Sequence, residues 1–177
     1  MKTTEDKRMQ VRHIDARAFR RVMGKFATGV TVVTFEHEGQ ASGMTANAFM
    51  SLSVDPPMVL IAVRNPSRFA SSVRVGDDFG ISFLREEHEA LSSHFGGRPN
   101  PEQGPCFSTL HGAPVVEGAL VQLAVRANAI HVGGDHLIYT ADVQRLEESE
   151  GRPLLFFSGA YKQLHALDPA TCWFDVG

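Results

Sequence analysis

The chain has 177 residues, 43% hydrophobic and 21% charged, a composition that fits one ordinary globular domain and excludes a disordered, fibrous or two-domain protein. Seventeen Lys and Arg against 20 Asp and Glu give a formal charge of -3, so no basic excess exists to neutralise a phosphate backbone, and nucleic-acid binding is set aside. Two cysteines, Cys106 and Cys172, are too few and too irregularly placed for a disulfide framework; with a polar first segment and no run near the ~20 apolar residues of a membrane span, they predict a cytoplasmic protein.

In "DARAFRRVMGKFATG" the residues Phe19, Val22, Met23 and Phe26 recur at helical spacing, with Asp15 as N-cap and Gly29 as stop. The β-branched run "VTVVTFE", the turn "HEGQ" and "ASGMT" predict a first hairpin. Asp55-Pro56-Pro57 is a breaker, and the six apolar residues from Met58 to Val63 predict a strand buried on both faces. "NPSRFASSVRVG" predicts a short helix capped by Ser67 and ended by Gly76, leading into the strand "FGISFL". A second short helix is expected in "EEHEALSSHFGG", where Leu91 and Phe95 stand four apart and Gly96 ends it.

Residues 96–114 concentrate Gly and Pro and predict a long surface loop. Beyond it the apolar odd positions Val121, Leu123, Val125, Ala127 and Ala129 predict a long half-buried strand, with "HLIYTADVQRL" as its hairpin partner. Six or seven strands against two or three short helices, without strand and helix alternation, favour a mainly β protein with a closed or partly closed antiparallel barrel.

Several motifs fail on their own requirements. "GKFAT" lacks the first glycine of a phosphate loop, since Phe19 stands there, and it lies in a helical segment. No G-x-G-x-x-G follows a strand, so a nicotinamide cofactor would not be held by a Rossmann unit. His88 and His94 lack metal-ligand spacing, and no nucleophile elbow exists, so neither a metal site nor a hydrolase is supported.

What remains is a combination in order: "TGVTVVT", "GMTANAFMSLSVDPPMV", "GGDHLIYTADV" and "RPLLFFSGAYKQL". Together these resemble the flavin reductase-like family of FMN-binding split β-barrel proteins, the small reductase components of two-component monooxygenases. The resemblance runs from about residue 15 to about 165 of the single domain expected over 1–177. It implies a six-stranded antiparallel Greek-key barrel, a homodimer, and hydride transfer from NADH or NADPH to FMN or FAD for a partner flavin-dependent monooxygenase. Without free flavin turnover, the alternatives are a flavin-binding module on the same barrel or a relative that keeps its flavin and reduces another acceptor.

A flavin ring needs directional donors at its carbonyl oxygens and N5 and apolar contact on its faces. By the resemblance, Thr45, Ala46, Asn47 and Ala48, followed by Ser51, line the ring and ribityl chain; a plain strand-to-loop transition packed with small residues is the other reading of that stretch. Asn65, Ser67 and Arg68 offer donors and a cation to the phosphate, or a helix cap with a solvent-facing arginine. Gly133, Gly134 and Asp135 shape a tight turn, and the resemblance makes His136 the residue that positions the nicotinamide or a flavin edge. Tyr161 packs on flavin or nicotinamide, or serves as a core tyrosine; Phe95 shields the site or anchors its helix. Ala141 replaces a glycine usual in the family, and Trp173 and Phe174 are placed to dock on a second subunit.

Overall fold

The computed structural model describes residues 14–102 and 106–164. The polar first segment, Cys172 and the expected docking of Trp173 and Phe174 therefore lie outside the described residues. Helix α1 spans Ala16–Met23, with the Asp15 carboxylate accepting the Ala18 N–H at 2.8 Å. It ends at Gly24, five positions before Gly29. The expected stop at Gly29 is corrected because Thr28–Gly29 forms strand β1 and pairs with β11, Leu155–Phe157. A strand partner outcompetes the last helical turn.

Strands β2 (Thr31–His37), β3 (Gln40–Ala46), β4 (Phe49–Val54), β5 (Pro57–Arg64), β6 (Asp78–Phe83), β9 (Val121–Gly133) and β10 (His136–Glu148) make one antiparallel sheet in the order β3-β2-β6-β9-β10-β5-β4. The expected hairpins β2/β3 and β9/β10 are both present. Edge strands β3 and β4 are joined only by Asn47 and Ala48. The three backbone steps from Ala46 to Phe49 reach at most about 11 Å, so the sheet is rolled until its edges approach each other. This is the mainly β, antiparallel architecture expected. The main sheet carries one strand more than six because the chain resumes pairing directly after Asn47-Ala48.

Inside the rolled sheet, Val33, Phe35, Ile61, Phe79, Ile81, Val125 and Tyr139 are all buried. Short helix α2 (Arg68–Ser72), capped by Ser67 as expected, adds Phe69 to this core. The Phe69 ring meets Phe35, Phe79 and Tyr139 edge-on, with centroids 5.2, 5.2 and 4.9 Å away. On β5 only Val59, Ile61 and Val63 are buried, whereas Leu60 and Ala62 are half-buried. The expectation of burial on both faces is thus corrected: among the described residues the outer face of β5 is only partly covered.

On β9 the odd-position alternation holds through Ala127 and then changes phase. Ala127 faces Ala141 and Ala129 faces Thr140, so Asn128 is an extra, bulged residue, and Ile130 rather than Ala129 packs on the core beyond it. The segment 96–114 is also not structureless: β7 (Phe107–Leu110) and β8 (Ala113–Val116) form a hairpin. Its turn residues His111 and Gly112 have φ of 47° and 85°, the left-handed pair of a two-residue hairpin turn. The Thr34 hydroxyl donates to the Pro114 carbonyl, and a Cβ on Gly80 would collide with both groups, so Gly80 lets β8 lie against the barrel.

A 3₁₀ turn (Glu86–His88) leads into α3, Glu89–Phe95, which buries Leu91 and ends at Gly96 as expected. Strand β12, Ala160–Lys162, returns along β11 through Ser158 and Gly159 and completes a small sheet in the order β1-β11-β12. No helix among the described residues is long and apolar enough to cross a membrane.

Candidate functional site

The link between the two sheet edges carries Asn47, and the last two residues of β3 are Thr45 and Ala46. These three residues, with Tyr161 of β12, Phe156 of β11, Val30 and Gly96, line a chamber of about 230 Å³. Thr45 is held by its hydroxyl, which donates to the Ser92 carbonyl at 2.7 Å. Ser92 is fully buried, and its own hydroxyl shares a 2.8 Å hydrogen bond with the Tyr161 hydroxyl. One α3 residue therefore fixes two walls, and the Tyr161 ring is set edge-on to Phe156 with centroids 5.6 Å apart. Asn47 and Ala48 are both exposed.

Asn47 also borders a second, mostly apolar chamber of about 320 Å³ with Phe26, Thr28, Phe49 and Leu154. The Thr28 hydroxyl there is buried without a hydrogen-bond partner, an expensive arrangement for a polar group unless a ligand or water answers it.

In β3, residues two apart share a face, so Gly43 lies next to Thr45. Gly43 lines a larger cavity of about 700 Å³ with Ser42, Arg68, His94, Phe95 and Phe107. A Cβ on Gly43 would stand 3.1 Å from the Phe95 ring and 3.2 Å from Val32, so a side chain there would press the ring outward. Phe95 packs against the buried cluster of Leu91 and Val116, which fits the anchoring role, and its ring also walls this cavity. Cys106 borders the same space, and burial pushes its thiol up, away from the thiolate form.

The Gly134-Asp135 loop of the β9/β10 hairpin has Gly134 at φ 69°, the left-handed first position of a II′-type turn. The Asp135 carbonyl accepts the Asn65 N–H at 3.0 Å, and His136 lies opposite Arg64 in the β10/β5 ladder. The hairpin tip is therefore stitched to the corner leading to Ser67 and Arg68. His136 Nδ1 lies 2.8 Å from the Asp135 carboxylate, and this hydrogen bond, followed by the charge of the imidazolium, holds the Asp135 carboxyl below its ordinary range. With Nδ1–H donating to Asp135, Nε2 is the ring nitrogen left for a ligand.

Of the residues singled out from sequence, Thr45, Ala46, Asn47 and Tyr161 share one chamber, and Arg68 borders the adjoining cavity. Asn65, Ser67 and His136 cluster at the hairpin tip and its corner, outside the lining of those two spaces. Ala48 adjoins the chamber, its carbonyl accepting the Ala62 N–H at 3.0 Å, and Ser51 is exposed on β4.

The match to known proteins covers this whole arrangement: residues 23–165 fit the model of the flavin reductase like domain. The chain belongs to that family. It is 38% identical over 157 residues to an NADH-dependent flavin reductase of a Rhodococcus species, covering 87% of this chain and 89% of the relative. It is 40% identical over 148 residues to the reductase component of 4-hydroxyphenylacetate 3-monooxygenase from Thermus thermophilus, covering 83% and 95%. Among solved structures, flavin reductase PheA2 aligns with a TM-score of 0.80 at 38% identity, over 86% of this chain and 100% of that one. The NADH:FAD oxidoreductase SgcE6 of Streptomyces globisporus, in complex with NAD and FAD fragments, aligns with a TM-score of 0.75 at 31% identity, over 88% and 96%.

Within this flavin reductase-like chain, sequence reading alone missed Gly43, Ser92, Phe107 and Phe156. The spacing of Gly43 two before Thr45 on one strand was the available signal; Ser92 and Phe156 are joined to the site only through tertiary contacts.

Proposed function

We propose that the protein is an NADH-dependent flavin reductase that reduces FMN or FAD and releases it to a separate flavin-dependent monooxygenase. The observation that carries this is that β3 and the link after it line two spaces in succession, a chamber at Thr45, Ala46 and Asn47 and a cavity at Ala41 to Gly43 bordered by Arg68. From Thr45 to Ala41 the strand runs roughly 13 Å, a length suited to a flat ring followed by a ribityl chain. Small residues let the ring approach the backbone, Tyr161 offers an aromatic wall, and Arg68 offers a guanidinium to the phosphate. The donor set fits a flavin.

Bound flavin supplies a hydride acceptor at N5. The chain's own part would be placement: Thr45, Ala46 and Tyr161 would wall one side of a bound ring, Ser92 keeps Thr45 and Tyr161 in register, and the His136 imidazole, oriented by Asp135, would leave Nε2 for a nicotinamide amide. Hydride transfer needs proximity and alignment more than a strong acid or base.

We further propose a cytoplasmic homodimer. Phe19, Val22, Met23 and Phe26 along and just after α1 are 52–78% exposed, and Met50, Leu52 and Val54 on β4 are 42–89% exposed, apolar groups that a second copy of the chain would cover. Two thinly spread cysteines fit a reducing compartment.

The test is loss of NADH absorbance with and without added FMN or FAD, with NADPH as the comparison donor. Turnover that depends on free flavin supports the reading; no NADH oxidation with either flavin overturns it. His136→Ala is expected to raise the KM for NADH or lower kcat while flavin binding persists. NADH kinetics that match the unmutated enzyme would remove His136 from the site.

A further inference from the structure

Ser92 is fully buried and lies behind the chamber, bonded to two residues, Thr45 and Tyr161, that line it. The direction of each bond follows from the protons available. The Thr45 hydroxyl donates to the Ser92 backbone carbonyl at 2.7 Å, which uses its one proton and leaves the Thr45 oxygen as an acceptor. Among the described residues the Ser92 hydroxyl has a single hydrogen-bond partner, Tyr161 Oη at 2.8 Å. Were the phenol the donor of that bond, the Ser92 proton would be buried with nothing to receive it, and the hydroxyl would carry its full desolvation penalty. Tyr161 is half-buried and borders open space, so its own proton can be met by water or a ligand. The Ser92 hydroxyl is therefore the donor and Tyr161 Oη the acceptor, and the phenol proton is left over.

Resting on the flavin-reductase reading, we propose that Ser92 is a positioning residue for the reaction, one that makes Tyr161 a hydrogen-bond donor to a carbonyl oxygen or ring nitrogen of the bound heterocycle. The chamber then offers a donor from Tyr161 and an acceptor from Thr45, the complement of a ligand edge on which C=O and N–H stand side by side. A flavin carries such an edge on its pyrimidine ring, and a nicotinamide carries one as its carboxamide. The flavin is favoured, because the small side chain of Ala46 in the same lining lets a fused ring approach the backbone. Ser92 touches neither ligand; its effect passes through Tyr161, which is thereby more than an aromatic wall.

The experiment is a double-mutant cycle of Ser92→Ala and Tyr161→Phe in the full chain, read in two ways. Ser92→Ala keeps the backbone carbonyl that holds Thr45. Without ligand, Tyr161→Phe leaves the Ser92 proton buried and unanswered, so the urea midpoint should fall; adding Ser92→Ala removes that proton and should restore most of the loss. A Ser92→Ala variant with a raised midpoint would mean that the serine proton was unpaired from the start, and overturns the proposal. With ligand, KM for FMN should rise about tenfold in Tyr161→Phe and about threefold in Ser92→Ala, and in the double variant no further than in Tyr161→Phe, while KM for NADH holds. The same pattern in KM for NADH instead assigns the donated bond to the nicotinamide carboxamide. Losses that add in the double variant, or unchanged KM values for both substrates in Ser92→Ala, overturn the positioning role. Equilibrium dialysis of FMN repeats the comparison without turnover. Weakening in that pattern, in a protein that oxidises no NADH, supports the Ser92 assignment while the reductase reading falls; absence of FMN binding by the unmutated protein overturns the assignment.

Discussion

The rings of Phe35, Phe69, Phe79 and Tyr139 inside the barrel are at most 1% exposed, whereas Phe19 and Phe26 near α1 are 53% and 78% exposed, and Val54 on β4 is 89% exposed. Both sets are apolar and both follow the periodicity of their elements. The interior set finds partners because the rolled sheet surrounds it and α2 brings in Phe69. The outer set belongs to elements that no other element among the described residues covers. Burial within one chain therefore accounts for the barrel interior, while the bare faces of α1 and β4 are the surfaces on which the proposed homodimer rests. This division can be broken from either side.

The largest effect is expected inside. Phe69→Ala removes a ring in edge contact with three others, and truncation of a fully buried phenylalanine costs roughly 3–5 kcal/mol. The urea midpoint should drop accordingly, and a loss below about 1 kcal/mol would show that the barrel interior repacks freely. Next comes Gly80→Ala, where the added methyl meets the Pro114 carbonyl and the Thr34 hydroxyl. Backbone cannot yield as a flexible side chain does, so overpacking of about 1–3 kcal/mol is expected, together with displacement of the β7/β8 hairpin, readable as faster amide exchange at Val115 and Val116.

The outer faces should respond in the opposite way. Met50→Lys, or Phe19→Ser with Phe26→Ser, removes exposed apolar groups whose contribution to the fold of one chain is within about 0.5 kcal/mol. Sedimentation should nevertheless show a shift from dimer toward monomer. A protein that sediments as a monomer before mutation would end the homodimer proposal and leave the bare faces to the partner oxygenase.

Much of this division was legible in the sequence. The hairpins of β2/β3 and β9/β10 announced themselves through β-branched alternation and turn residues, and α2 and α3 through Ser67 and Gly96. Other features depended on tertiary pairing. Thr28 and Gly29 read as a helix end because their strand partner, Leu155 and Phe156, is more than a hundred residues away. The β7/β8 hairpin was hidden by flanking Gly and Pro, and Pro114 is tolerated there because its carbonyl, not an N–H, makes the contact to Thr34. For the site, the small residues Thr45 to Asn47 were visible through family resemblance. Ser92, which positions Thr45 and Tyr161 together, carries no local signature at all.

The smallest effect concerns His88, at the junction of the 3₁₀ turn and α3. Its Nδ1 accepts the Arg85 N–H at 3.3 Å, which requires that nitrogen to be unprotonated. Burial pushes its pKa below the ordinary 6.5, with the Arg85 charge adding to this and Glu87 opposing it. The unfolded chain therefore takes up the proton first as pH falls. Stability from this residue is complete above about pH 6.5 and declines below it, levelling off once the folded imidazole is also protonated. His88→Asn, which lacks a titrating group, should flatten that part of the urea midpoint's pH dependence between about pH 7 and 5 while leaving the steeper acid loss from carboxylates such as Asp78, whose pKa the Arg126 hydrogen bond lowers. An unchanged slope in the variant would mean that the Arg85 contact survives protonation by rotation of the ring, and that the turn into α3 does not depend on the neutral imidazole.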